Sequence, residues 1–90
     1  MGLINVVGEL SFDAPISPQE LATLECSDGR CYERFRLHLV HLLLAVDRKR
    51  ALLLFHAPDA ESVRVAFRHM RVAFEHVWAC GEVPSSLPYA

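Results

Sequence analysis

Ninety residues with 52% hydrophobic side chains suffice for one domain, are too few for two, and are too apolar for a disordered chain. A formal net charge of −2 argues against nucleic acid, whose phosphates call for a cationic surface. So short a domain buries a limited core, and its surplus of apolar residues predicts a second copy of the chain as partner.

Residues 3–12 read as a strand, with Ile4, Val6, Leu10 and Phe12 on one side and Leu3 and Val7 on the other. Asp13-Ala14-Pro15 breaks it. Ser17-Pro18-Gln19-Glu20 is a helix start: Ser17 suits the N-cap, Pro18 the first helical position, and Glu20 the reciprocal capping-box position. Ile16 and Leu21 are spaced for a hydrophobic staple. Near-helical spacing of Leu21, Leu24, Asp28, Cys31, Tyr32 and Phe35 predicts one helix to about Phe35, frayed or kinked near Gly29.

Leu37 to Val46 and Ala51 to Phe55 flank the charged stretch Asp47 to Arg50 and read as a hairpin whose strands are apolar on both faces. Pro58 ends it and Asp59 caps a second helix, with Val63, Ala66, Phe67 and Met70 as its apolar stripe and Arg64, Arg68 and Arg71 opposite. Phe74 to Val83 reads as the last strand, and residues 84–90 as a short tail. The order β-α-β-β-α-β predicts a single α+β domain over residues 1–90: a ferredoxin-like sandwich, two helices on one face of a four-stranded antiparallel sheet. Because both faces of the hairpin are apolar, the open face predicts a homodimer closed sheet to sheet.

The arginines read as a solvated helix face and a hairpin tip, with an anion-binding patch as the alternative. The three cysteines, Cys26, Cys31 and Cys80, lack zinc-ribbon spacing and read as free thiols in a reducing cytoplasm. The first twelve residues do not resemble a signal peptide. No run approaches the roughly 18 apolar residues of a membrane span, so no membrane partner is expected. Motifs of a conventional enzyme, among them GxSxG, the P-loop, GxGxxG and HExxH, are absent.

Chemistry therefore falls to five histidines. With a two-residue turn at Arg48-Lys49, His41 sits directly opposite His56 on one sheet face, about 4.5–5.5 Å apart at Cβ. That is close enough for two imidazoles to share one metal ion, and it places His38 on the other face. His76, in phase with Trp78 and Cys80, is the third candidate ligand. Nickel or zinc suits such ligands. The plainer reading of each strand histidine is a hydrogen bond to a carbonyl or to water, and a one-residue slip in register removes the pairing. His69 reads as exposed or as a partner of the helix C-terminus. Glu9 and Glu33 are available carboxylates, and a Cys80–His76 couple lacks an orienting third group.

The stretch Asp47 to Asp59 with the following Ala60-Glu61-Ser62-Val63-Arg64, the opening Ser17-Pro18-Gln19-Glu20-Leu21 and the late Val77-Trp78 resemble a family of small bacterial nickel-binding-protein-like domains of unassigned function. The specific part is Phe55-His56-Ala57-Pro58-Asp59, an aromatic, a polar residue and Ala-Pro-Asp ahead of a helix. Departures are Leu53 where the family often has Cys, His56 where a carboxylate is frequent, and Arg71-Val72-Ala73 in place of Gly-x-Pro. The resemblance implies the ferredoxin-like fold, a sheet-face dimer and metal binding. Three readings follow: a dimeric metal-binding module, a dimeric α+β barrel that is a small-molecule enzyme or sensor, and an interaction domain with no ligand.

Overall fold

Arg50–Ala57 alternates along its whole length: Ala51, Leu53, Phe55 and Ala57 are buried, whereas Leu52 and His56 are exposed and Leu54 is half-buried. A period of two is what a strand with one covered face requires. The computed structural model describes residues 2–23 and 30–81. Its elements are β1 (Ile4–Ser11), α1 (Pro18–Ala22), α2 (Arg30–Glu33), β2 (His38–Leu44), β3 (Arg50–Ala57), α3 (Ala60–His69) and β4 (His76–Cys80). The strands form one antiparallel sheet in the order β2-β3-β1-β4, and the fold is α+β.

Every buried large side chain serves one face of this sheet. Val6 and Leu10 of β1, Leu53 and Phe55 of β3, and Val77 of β4 meet Leu21, Tyr32, Leu37, Val63 and Phe67 from the helical side. An aromatic chain runs through this core, with ring centroids of Tyr32 and Phe55 5.2 Å apart, Phe55 and Phe67 5.8 Å, and Phe67 and Phe74 5.6 Å. Phe67 lies directly on Gly8: a Cβ at Gly8 would stand 2.7 Å from Cε2 of that ring. The missing side chain is what lets α3 settle onto β1.

Both helix starts form as their sequences specify. Ser17 Oγ accepts from Glu20 N–H at 3.0 Å, and Glu20 Oε1 accepts from Ser17 N–H at 3.1 Å. Asp59 Oδ1 accepts from the backbone N–H of Ser62 at 2.7 Å and from its hydroxyl at 2.7 Å. Glu61 pairs with Arg64 and Arg68 at 3.3 and 3.1 Å, and Arg64 Nη2 donates to the carbonyl of Val77 at 2.6 Å, tying α3 to β4.

Three expectations change. The single helix expected to reach Phe35 is two: α1 ends at Ala22 with Thr23 as its C-cap, and α2 ends at Glu33, where Phe35 and Leu37 N–H both donate to Tyr32 O and Arg36 turns the chain with φ 62°. The expected kink near Gly29 and the tail 84–90 lie outside the described residues. The last strand is shorter than Phe74 to Val83, because Phe74 is taken into the core cluster before the ladder begins at His76.

The hairpin turn is also longer than two residues. Ala45 N–H donates to Arg50 O at 2.9 Å and Arg48 N–H to Ala45 O at 2.8 Å, leaving Val46 to Lys49 outside the ladder. Arg48 adopts φ 60° and Asp47 Oδ1 accepts from Lys49 N–H at 3.0 Å. Phe12 and Ile16 N–H bind the carbonyls of Lys49 and Arg48, so the chain after β1 grips this loop.

Gly8→Ala should destabilise the fold by about 1–3 kcal/mol in urea unfolding, the usual cost of overpacking a filled core. Combining it with Phe67→Leu should cost less than the sum of the two single changes; full additivity would show that the two positions do not meet.

Asp59 and Glu61 hold pKa values below their ordinary ones, Asp59 chiefly through the hydroxyl of Ser62 and Glu61 chiefly through Arg68. A depressed folded-state pKa gives stabilisation that is complete above the unfolded value and is lost as pH falls through the folded value. Asp59→Ala should therefore lower stability at neutral pH and flatten the acid limb of the stability–pH profile. An acid limb as steep as the parent's would place that dependence elsewhere.

Candidate functional site on the open sheet face

The face away from the helices is ordered by the ladder into rows running β2, β3, β1, β4. One row is His38, His56, Asn5, Cys80; the next is His41, Leu54, Val7, Trp78; the third is Leu43, Leu52, Glu9, His76; and Arg50 and Ser11 open a fourth. Its middle is apolar. Leu43, Trp78 and Leu52 are 58%, 48% and 38% exposed, values at which large apolar side chains spend free energy in water, and Val7 and Leu54 between them are half-buried.

A groove of about 260 Å³ at the hairpin end of this face is lined by Leu43, Leu52, Glu9 and Arg50, with Leu44, Ala45 and Ala51 behind. At the outer edge of β2, His38 and His41 border a separate cleft of about 300 Å³ with Glu33 and Tyr32. Polar groups frame the apolar middle. His38, His41, His56 and Arg50 stand on the β2–β3 half, and His76 on the other. Glu9, and Glu75 hydrogen-bonded to Ser11, stand on the β1–β4 half.

His41 does not oppose His56. The longer turn moves the register by two residues, so His41 faces Leu54 while remaining on the same face as His56. Between Leu39 and His41 the register shifts again, with Val40 as the extra residue of a β-bulge. The bulge turns His38 onto the open face and sets it directly against His56. The expectation that His38 points to the other face is thus reversed, and a pair of opposed imidazoles exists with a different member.

His76 shares a face with Trp78 and Cys80, as its alternation implies, but stands on the far edge strand. Three inter-strand steps of about 4.8 Å separate it from β2, roughly 14 Å in all. His41, His56 and His76 therefore do not converge within one chain. Among the described residues no three His, Cys, Asp or Glu side chains form a set able to hold a metal. Cys80 is a half-buried free thiol. His69 is exposed at the end of α3, its Nε2 3.4 Å from Arg34 Nη1 and its ring 5.5 Å from that of Phe35. The side chains of Cys26 and Cys31 lie outside the described residues.

His38 is the residue that the sequence did not single out as a partner of His56. No local signal marks it: the spare residue shows only in the pairing, where the seven residues from His38 to Leu44 face the six from Ala51 to His56. No helix among the described residues is long and apolar enough to cross a membrane.

Comparison of the chain with protein-family models, with curated proteins and with solved structures finds no match.

Proposed function

We propose that this chain is a ferredoxin-like interaction domain that works as a homodimer, two copies closing sheet to sheet over their open faces. The observation that carries this reading is the contiguous apolar middle of that face, Val7, Leu43, Leu52, Leu54 and Trp78, which no helix among the described residues covers. The connection β-α-β-β-α-β with strand order β2-β3-β1-β4 supports the ferredoxin-like assignment. Kinship with the small bacterial nickel-binding-protein-like domains rests on the junction Phe55-His56-Ala57-Pro58-Asp59, which joins β3 to α3.

A second copy is the occupant that the face's own charges favour. One half carries Glu9, Glu75 and His76 and the other Arg50, His38, His41 and His56, so a copy turned by a two-fold axis along the strands brings Arg50 toward the partner's carboxylates. The apolar residues then supply affinity and the charged margin supplies orientation. A second reading, divalent metal binding through strand histidines, is favoured by the direct opposition of His38 and His56.

Leu52→Glu with Leu54→Glu should convert the dimer to a folded monomer in sedimentation equilibrium, weakening association at least about 100-fold, because each buried carboxylate would lack a partner. Val65→Glu, on the exposed flank of α3, should leave association unchanged. A monomeric parent chain at high micromolar concentration would overturn the reading.

Trp78→Ala should weaken the dimer about 30-fold or more, the effect of truncating a central aromatic anchor. The indole emission of the parent should shift to the blue with rising protein concentration. Emission independent of concentration across the association range would remove Trp78 from the contact.

A further inference from the structure

We propose that the homodimer binds two divalent cations, each held by His38 and His56 of one copy together with the partner's Cys80. This rests on the sheet-to-sheet dimer proposed above and adds to it a ligand, a stoichiometry and an orientation.

His38 and His56 are directly opposed and both exposed, so two imidazoles rise from the same point of the face. Opposed residues have Cβ atoms about 4.5–5.5 Å apart, a separation that lets both nitrogens reach one ion at about 2.0–2.1 Å. Two ligands alone leave a site incomplete. Cys80 belongs to the same row, but β3 and β1 stand between it and His38, roughly 14 Å at about 4.8 Å per strand. Within one chain the thiol is out of reach.

A second copy closes that gap. Two orientations keep a two-fold axis in the plane between the sheets. An axis across the strands sets each half of the face upon itself, the half with Arg50 against its own kind and the half with Glu9 and Glu75 against its own kind. An axis along the strands, between β3 and β1, lays β4 of one copy over β2 of the other and β1 over β3. Unlike charges then meet, with Glu9 beside the partner's Arg50. Each Trp78 comes over the partner's β2, next to the groove between Leu43 and Leu52. In that same orientation Cys80 comes over the partner's His38. Facing sheets stand about 10 Å apart, so side chains from the two sides meet near the midplane. Packed sheets rotate by about 30°, which displaces the corners by only part of a row.

Two imidazoles and one thiolate are ligands for a tetrahedral ion of the zinc type, with the fourth position open to water or to a further group. On binding, the Cys80 thiol yields its proton to solvent and the sulfur takes the vacant coordination position, while the imidazoles bind as neutral donors. Metal affinity should accordingly fall with falling pH. The two-fold axis makes the two sites equivalent, one cation per chain.

The test is complementation in trans. Metal-stripped parent protein titrated with Zn²⁺ by calorimetry should bind one ion per chain, and Co²⁺ should give a thiolate-to-metal charge-transfer band. A His38→Ala, His56→Ala chain and a Cys80→Ser chain, each shown to be folded and dimeric by circular dichroism and sedimentation, should each lose binding and the cobalt band. Mixed, they should form heterodimers with one intact site, recovering up to half the parent capacity per dimer. Dimers that regain no binding on mixing would overturn the metal site while leaving the dimer standing. A parent that binds the ion as a monomer would overturn the shared site, and a parent that never dimerises would overturn the dimer and the site together.

Discussion

The contact on which the rest of the molecule depends is that of the Phe67 ring with the bare backbone of Gly8. It seats α3 on β1 closely enough for Phe67 to reach Phe55 on one side and Phe74 on the other, and through Phe55 the ring of Tyr32. Once that face is filled, the identity of both faces follows. Every even-numbered residue of β1 from Val6 to Leu10 belongs to the core, and every odd one looks outward. The second face inherits whatever side chains remain, and here those are leucine, valine and tryptophan as well as histidine. One face of the sheet is thus filled, and the other keeps an apolar middle exposed among the described residues.

Local chemistry made most of the elements legible in the amino-acid sequence. Ser17-Pro18-Gln19-Glu20 announces a helix by reciprocal hydrogen bonds that need only those four residues, and Asp59 does the same for α3. The alternation in Ala51 to Phe55 and in His76 to Cys80 likewise assigns faces without reference to distant contacts. The four-stranded antiparallel sheet follows from the order of these elements.

What could not be read was register. Arg48 takes a left-handed backbone that favours glycine in a chain choosing its turn by residue type, and it is held there by contacts with Ile16 and Ala45 that no local pattern reveals. The bulge at Val40 is equally silent: in Leu37-His38-Leu39-Val40-His41-Leu42 nothing marks which apolar residue is the extra one. Two displacements, one of two residues at the turn and one of a single residue in the strand, exchange His41 for His38 as the neighbour of His56. A site made of cross-strand neighbours inherits the uncertainty of every turn between them, whereas a core made of face-sharing residues does not. That is why the core was legible and the site only in part.

The bulge also bears on how the sheet ends. β2 is an edge strand of seven residues with an outward row of backbone donors and acceptors, the kind of border onto which further strands can add without limit. An extra residue in its middle puckers that border, so a straight strand cannot follow it through its full length. The opposite border, β4, has only five residues, too few to template a long ladder. With both borders spoiled, growth in the plane of the sheet is discouraged, and with it the open-ended ribbon that seeds a fibril.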